Sequence, residues 1–280
     1  MRLRRVLTTA AVVSAALAAT VATAVTAGAA PWAPGVKSLA VSSLAVRYVA
    51  LGDSYSAGTG AGPYTAAGQS CERSANAFPQ LWAARNAPAS FVSVACSGAT
   101  TATVQDSQLS ALTSQTTLVS ITVGGNDVGF SHVMETCVLE WDSACLKAVT
   151  TAESAVSKTL PGHLDSTLKA IRARAPQARV VVLGYPDLYD LSRSGSCLGI
   201  STTKRTALNQ GADDLDRALA AAAARNGDTF ADVRPEFAAH QLCDGHADWL
   251  NALTFPLDDS YHPNASGQKH AYLPAFTANS

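Results

Sequence analysis

The hydrophobic pattern of the chain after residue 46 consists of short apolar runs separated by longer amphipathic segments. Each run has five or six residues, too few for a buried helix, and several are rich in β-branched residues, which favours buried strands. The pattern therefore predicts five strands, at Arg47–Leu51, Phe91–Cys96, Leu118–Val123, Arg179–Leu183 and Thr229–Val233.

The amphipathic segments between these runs predict helices at 76–86, 146–175, 204–225 and 264–276. Pro161 should break or kink the second of them, and Asn264 is a good N-cap residue for the last. Strands that alternate with helices predict an α/β fold with a parallel, doubly wound sheet covered on both faces.

Long loops rich in glycine, serine and tyrosine follow several of the predicted strands, at 55–75, 185–200 and 243–262. In open α/β sheets the carboxyl ends of the strands carry the functional site. We therefore expect the site at this edge, with these loops and an excursion at 134–145 forming a rim held by disulfides.

The N-terminal segment has the features of a secretory signal. Three arginines precede an alanine- and valine-rich stretch that ends in Ala27-Gly28-Ala29, a small-x-small cleavage site. A retained membrane anchor is the alternative, but alanine and threonine dominate the stretch. We predict a signal peptide at 1–29, a mature tail at 30–46 and a single domain at 47–280, which implies a secreted, extracellular protein.

Charge and cysteine content narrow the possible partners. The net charge of −1 becomes −4 without the three N-terminal arginines, so a nucleic-acid partner is not expected, and no second run is apolar enough for stable membrane insertion. Six cysteines behind a signal peptide predict three disulfides. The sequence has no C-x-x-C pair, which argues against a zinc site. Six cysteines allow fifteen pairings, of which nearest-neighbour pairing is the simplest.

Residues suited to nucleophilic catalysis by a serine follow three of the predicted strands. Ser54 lies in Gly52-Asp53-Ser54-Tyr55, Gly98 follows the second strand, and Asn126 lies in Gly124-Gly125-Asn126-Asp127. A hydroxyl can act as nucleophile, glycine allows close backbone approach, and an amide can donate to an oxyanion. Because parallel strands end at one edge of the sheet, these residues should lie together. The alternative is that the glycines form ordinary turns and that Asn126 caps a helix.

A serine nucleophile needs a base, and the chain has six histidines. His262 follows Asp259 by three residues, a spacing that lets a carboxylate reach the ring and fix its tautomer. His132 and His246 lie in presumed rim loops and are the next candidates. The other three histidines are expected at the surface or in packing contacts.

Taken in this order, the four motifs resemble the marker blocks of the GDSL/SGNH hydrolases, and most closely those of secreted actinobacterial lipases and phospholipases. The segments Tyr48–Gly58, Val123–Phe130 and His262-Pro263-Asn264 carry the narrower resemblance. The resemblance covers essentially all of 47–277 and implies a flavodoxin-like three-layer α/β/α fold. Residue 56 is serine, so the first motif is not the Gly-x-Ser-x-Gly elbow of α/β-hydrolase-fold lipases.

The resemblance also implies roles for individual residues. Ser54 is the nucleophile, His262 is the base, and Asp259 orients the histidine, although in some relatives a carbonyl two residues before the histidine, here that of Ser260, does so. The amides of Ser54 and Gly98 form the oxyanion hole with Asn126. The implied disulfides are Cys71–Cys96, Cys137–Cys145 and Cys197–Cys243.

The sequence therefore predicts a secreted serine esterase or lipase that acts on small-molecule or lipid esters as a monomer, without a cofactor or metal. Phospholipase A activity and sugar O-acetyl esterase activity are the alternatives on the same fold. A nucleotide-binding role for Gly58–Gly62 is disfavoured, because Pro63 occupies the place of the third glycine of a dinucleotide-binding turn. A binding module without activity is disfavoured, because Ser54, Asn126 and His262 form a complete set of catalytic groups. A fatty acyl substrate is favoured by apolar or aromatic rim residues, namely Tyr55, Tyr64, Phe130, Trp141, Leu188, Tyr189 and Trp249.

Overall fold

The structure is a computed structural model that describes residues 45–192, 197 and 199–280. The predicted signal peptide at 1–29, and the predicted tail at 30–46 except its last two residues, lie outside the described residues.

Five parallel strands form the central sheet in the order β2-β1-β3-β4-β5. The order reverses direction between β1 and β3, which is the flavodoxin-like arrangement. The central strands are buried almost throughout, whereas residues of the edge strand β2 alternate between exposed and half-buried. The predicted α/β fold is thus confirmed, with strands at Arg47–Gly52 (β1), Ser90–Ser93 (β2), Leu118–Thr122 (β3), Arg179–Leu183 (β4) and Thr229–Ala231 (β5).

Helices cover both faces of the sheet. Tyr48 of β1 contacts Trp82 and Phe276, which places α2 and α10 together on one face. The chain passes through α6 between β3 and β4 and through α7 between β4 and β5, and the right-handed sense of nearly all such crossovers assigns both helices to the other face. The α-helices are Ser54–Ala57 (α1), Phe78–Asn86 (α2), Thr101–Thr103 (α3), Phe130–Leu139 (α4), Asp142–Lys158 (α5), Leu160–Arg174 (α6), Thr202–Asn226 (α7), Arg234–Phe237 (α8), Ala265–Gly267 (α9) and Leu273–Asn279 (α10). Tighter or wider helical turns occupy Ala66–Cys71, Val104–Gln108, Leu109–Ala111, Leu257–Asp259 and Gln268–Tyr272.

The structure confirms the predicted break near Pro161: the segment predicted at 146–175 is two helices, α5 and α6, because Pro161 at the start of α6 cannot donate a backbone hydrogen bond to the preceding turn. Other predicted boundaries differ from the structure. The predicted excursion at 134–145 holds most of α4 and the start of α5. The second strand ends at Ser93 rather than Cys96, although Cys96 N still donates to Gly52 O at 3.0 Å.

The cysteine sulfurs lie at disulfide distance in nearest-neighbour pairs. Cys71–Cys96 joins the loop after β1 to the chain after β2, and Cys137–Cys145 joins α4 to α5. Cys197–Cys243 joins the loops after β4 and β5. Of the helices in the part of the chain that the structure describes, none is both long enough and apolar enough to cross a bilayer.

Candidate active site

Ser54 is positioned by a glycine that ends β1. Gly52 has φ of +117°, and a Cβ there would lie 2.3 Å from the backbone oxygen of Thr122 in β3. Glycine therefore allows β1 to end against β3. Asp53 then caps α1 by accepting a hydrogen bond from Tyr55 N at 3.0 Å. As a result, Ser54 is the first residue of a helix at the carboxyl edge of the sheet, where the early N–H groups lack helical acceptors.

His262 faces this serine. Its Nε2 lies 2.7 Å from Ser54 Oγ, and its Nδ1 lies 3.1 Å from the Ser260 carbonyl oxygen. A carbonyl only accepts hydrogen bonds, so it favours the tautomer with the proton on Nδ1 and a free lone pair on Nε2. Burial lowers the pKa of His262 to about 4. The imidazole is therefore neutral at pH 7 and is placed to accept the proton of Ser54.

Asp259 makes a different contact from the one preferred on sequence. Its carboxylate accepts a hydrogen bond from the Tyr64 hydroxyl at 2.5 Å, whereas the Ser260 carbonyl faces His262 Nδ1. The reason is local: Leu257–Asp259 is a 3₁₀ turn, and the Asp259 side chain is held against the loop after β1. The geometry thus favours the alternative given in the sequence analysis, in which the Ser260 carbonyl orients His262, over orientation by the Asp259 carboxylate.

Asn126 lies beside Ser54 at the end of β3 and lines the same pocket. Its Nδ2 donates to the Ala99 carbonyl at 3.0 Å, which places it next to Gly98. Gly98 has φ of +78°, and a Cβ there would meet no atom within 4 Å, so the space in which its side chain would lie is open. The capping alternative for Asn126 is not supported, because α4 begins at Phe130 and Gly129 is its N-cap.

A buried hydrogen-bond network beneath Ser54 was not predicted from the sequence. The Asp53 carboxylate accepts from the Thr122 hydroxyl at 2.6 Å and from the Tyr185 hydroxyl at 2.5 Å. Burial raises the pKa of Asp53 to about 6. Tyr185 follows β4 by two residues, so the strand-end rule that selected Asn126 could also have selected it.

An apolar pocket extends from Ser54 and Asn126 between α4, α5 and α7. Of the seven predicted rim residues, three line it, namely Tyr55, Phe130 and Leu188. The other four lie elsewhere: Tyr64 binds Asp259, Trp141 is exposed, Tyr189 is buried in the core, and Trp249 stacks on His240. The apolar wall includes Val128, Phe130, Val133, Val149, Val156 and Leu208.

His132 and His246, the other candidate bases, are not in contact with Ser54. His132 is exposed on α4, and His246 faces the Asp244 carboxylate at 3.7 Å. Among the residues that the structure describes, the candidate groups brought together are those of Ser54, His262, Gly98 and Asn126.

A parallel α/β sheet with a serine–histidine pair at its carboxyl edge, opening into an apolar pocket, has the architecture of a serine esterase. Residues 50–270 match the GDSL-like Lipase/Acylhydrolase family. The chain belongs to this family, as the sequence predicted, and is a carboxylic ester hydrolase.

Individual relatives are similar over most of their length. Lipase 1 of Streptomyces coelicolor is 49% identical over 249 residues, which are 89% of this chain and 92% of that protein. The crystal structure of phospholipase A1 from Streptomyces albidoflavus NA297 superposes with a TM-score of 0.81 at 47% identity, covering 84% of this chain and 100% of that one. The extracellular lipase of Streptomyces rimosus superposes with a TM-score of 0.82 at 48% identity, with the same coverage.

Proposed function

We propose that this protein is a secreted esterase or lipase that cleaves fatty acyl esters through an acyl-enzyme on Ser54. The contact that carries the proposal is the 2.7 Å approach of Ser54 Oγ to His262 Nε2. Ser54 Oγ attacks the ester carbonyl carbon while its proton passes to Nε2. The tetrahedral intermediate collapses, the leaving alkoxide takes that proton, and the acyl group stays on Ser54. Water then attacks with His262 as base, which releases the acid and restores the serine.

The negative charge that develops on the carbonyl oxygen needs donors fixed in advance. We assign this role to the amides of Ser54 and Gly98 and to the side chain of Asn126. Support comes from the helix start at Ser54, the open face of Gly98 and the position of Asn126 in the pocket wall.

The apolar pocket supports a fatty acyl group as the part of the substrate that stays on the enzyme. Its wall of valines, leucines and Phe130 would remove the methylenes of such a chain from water, each worth about 0.8 kcal/mol. An acetyl group would leave most of this wall unused. Phospholipase A activity is the second candidate, because a relative with 47% identity is a phospholipase A1.

Secretion is supported by the signal-like pattern of residues 1–29 and by six cysteines at disulfide distance in three pairs. A relative at 48% identity is an extracellular lipase. Disulfides persist in oxidising compartments outside the cytosol.

The test of the nucleophile is labelling of the secreted protein with a fluorophosphonate, followed by peptide mapping by mass spectrometry. We expect one modified residue, Ser54. Ser54→Ala should abolish labelling and nearly all turnover of p-nitrophenyl butyrate while the unfolding temperature changes little. Modification of Ser56 or Ser97 instead would overturn the assignment.

The substrate class is tested with p-nitrophenyl esters of increasing acyl length, then with triglyceride, phosphatidylcholine and acetylated xylan. We expect higher kcat/KM for medium and long acyl chains than for acetate. Release of fatty acid from phosphatidylcholine would favour the phospholipase, and turnover of acetylated xylan alone would contradict the fatty acyl proposal.

A further inference from the structure

The interior of α7 contains a glycine that the backbone does not require. Gly211 lies within a 25-residue helix, where glycine is less stable than alanine. A Cβ at this position would lie 3.8 Å from Val149 Cγ1, which is ordinary van der Waals contact. By contrast, a Cβ at Gly184 would lie 2.4 Å from the Asp216 carboxylate. Sterics therefore explain Gly184 but leave Gly211 without a structural reason.

The location of Gly211 supplies a functional reason. It lines the apolar pocket that begins at Ser54, opposite Val149 of α5. We call this pocket the inner pocket. An outer groove lies on the solvent side of the same seam between α5 and α7, lined by Leu146, Thr150, Thr203, Thr206, Ala207 and Gln210.

The inner pocket and the outer groove share two wall residues, Val149 and Glu153. On α7 the inner pocket is lined by Leu208 and Gly211, and the outer groove by the adjacent positions 207 and 210. The two spaces therefore adjoin where α7 has no side chain. A methyl group at 211 would contact Val149 and narrow this junction.

We propose that Gly211 sets the acyl chain length that this enzyme accepts. The missing side chain leaves room for the distal methylenes of a long acyl chain to pass Val149 towards the outer groove. Val149 is buried and apolar, whereas Glu153 is half-buried, so the carboxylate marks where the channel reaches water. The inference rests on the proposed function, because it assumes that the acyl group on Ser54 occupies the inner pocket.

The test compares kcat/KM for p-nitrophenyl esters from butyrate to palmitate, below their micelle concentrations, in wild type, Gly211→Ala and Gly211→Leu. Each methylene that loses its place costs about fourfold in affinity. We expect kcat/KM for the palmitate ester, divided by kcat/KM for the butyrate ester, to fall about fourfold in Gly211→Ala. A leucine, which displaces two or three methylenes, should lower this ratio roughly 15- to 60-fold. Gly211→Ala should also raise the unfolding temperature.

Gly162→Ala is the matched control. Gly162 lies in the first turn of α6, and a Cβ there would meet no atom within 4 Å. This variant should also gain helix stability, but its chain-length profile should match that of wild type. If Gly211→Leu fails to fold, Gly211→Ala decides the question by itself.

An unchanged palmitate-to-butyrate ratio in a folded Gly211→Ala or Gly211→Leu enzyme would overturn the inference. If the variants leave the ratio unchanged while the wild-type enzyme prefers long acyl chains, the proposed function still stands. A wild-type enzyme that hydrolyses only acetate esters would instead contradict the fatty acyl proposal itself.

Discussion

Ser54 and His262 are 208 residues apart in the chain, and each depends on a neighbour that holds it in place. Asp53 caps the helix that carries the serine, and the Ser260 carbonyl holds Nδ1 of the histidine. A neutral carbonyl stabilises an imidazolium less than a carboxylate does. Burial without a carboxylate in contact is consistent with the low pKa of His262.

This arrangement predicts the acid limb of the pH–rate profile. Because burial lowers the pKa of His262 to about 4, the neutral base is present above that pH and is lost as the pH falls through it. The limb of kcat/KM should lie near pH 4 rather than near 6.5, the usual value for histidine. A midpoint near 6.5 would show that the His262 imidazole is more exposed to water than it is in the structure.

Unfolding must be followed at each pH as the control. The depressed pKa of His262 means that stability from this residue is lost as the pH falls from 6.5 towards 4. The pKa of Asp53, raised to about 6, acts in the opposite sense, because stability from this residue is lost as the pH rises from about 4 to about 6. The acid limb is assigned to His262 only where the protein stays folded.

The contacts of Asp259 predict a small mutational effect. Asp259→Asn keeps a side-chain oxygen as acceptor for the Tyr64 hydroxyl and leaves the Ser260 carbonyl in place, so kcat/KM should fall only a few fold. His262→Ala should be disabling. Steady-state kinetics of both variants, with Tyr64→Phe as a second probe of the same contact, make the comparison. A loss of about ten thousandfold in Asp259→Asn, as when a protease triad loses its carboxylate, would return the orienting role to Asp259.

Asn126→Ala tests the oxyanion assignment. Loss of one preorganised donor should lower kcat by about 100- to 1,000-fold with little change in KM. Stability should fall by no more than the loss of the hydrogen bond from Asn126 to the Ala99 carbonyl, about 1 kcal/mol, because α4 is capped by Gly129 and does not depend on Asn126. An effect confined to KM would place the residue in substrate binding instead.

At the scale of elements, the pocket depends on how α4 and α5 meet. The two helices are joined by two residues and by the Cys137–Cys145 pair, whose members are eight positions apart. This corner carries Phe130, Val133 and Val149 into the pocket wall. The disulfide therefore fixes one wall of the site without taking part in its chemistry.

Removal of this bridge predicts a loss of stability. Closing so short a loop reduces the entropy of the unfolded chain, which gives about 2.6 kcal/mol by the loop-entropy relation. Urea denaturation of the Cys137→Ser, Cys145→Ser double variant measures it. The Cys71–Cys96 bridge closes a longer loop, and its removal should cost about 3.5 kcal/mol. An unchanged midpoint for either double variant would show that its bridge does not form in solution.

At the scale of the whole molecule, secretion and disulfide formation are predicted together, because disulfides form in oxidising compartments outside the cytosol. If residues 1–29 form a signal peptide, the protein recovered from the medium should begin near residue 30 and contain no free thiol after denaturation without reductant. Intact-mass analysis and thiol titration test both points. A retained N-terminus would favour the membrane-anchor alternative, and titratable thiols would contradict the three disulfides.

Local patterns in the sequence determined the sheet and the serine half of the site. The apolar runs predicted all five strands to within a few residues, because a buried parallel strand must be apolar on both faces. Ser54, Gly98 and Asn126 each follow one of these runs, and parallel strands end at the same edge. Their proximity therefore follows from topology, without knowledge of any side-chain direction.

Only the tertiary structure decided which group holds His262 and how far the pocket extends. The three-residue spacing from Asp259 is compatible with a contact to the ring, but Tyr64, distant in sequence, binds that carboxylate instead. Likewise, no role for Gly211 was predicted from the sequence, and its place opposite Val149 depends on how α5 packs against α7. Spacing fixes where a residue lies along its own segment, whereas the direction of its side chain is fixed by partners that only folding supplies.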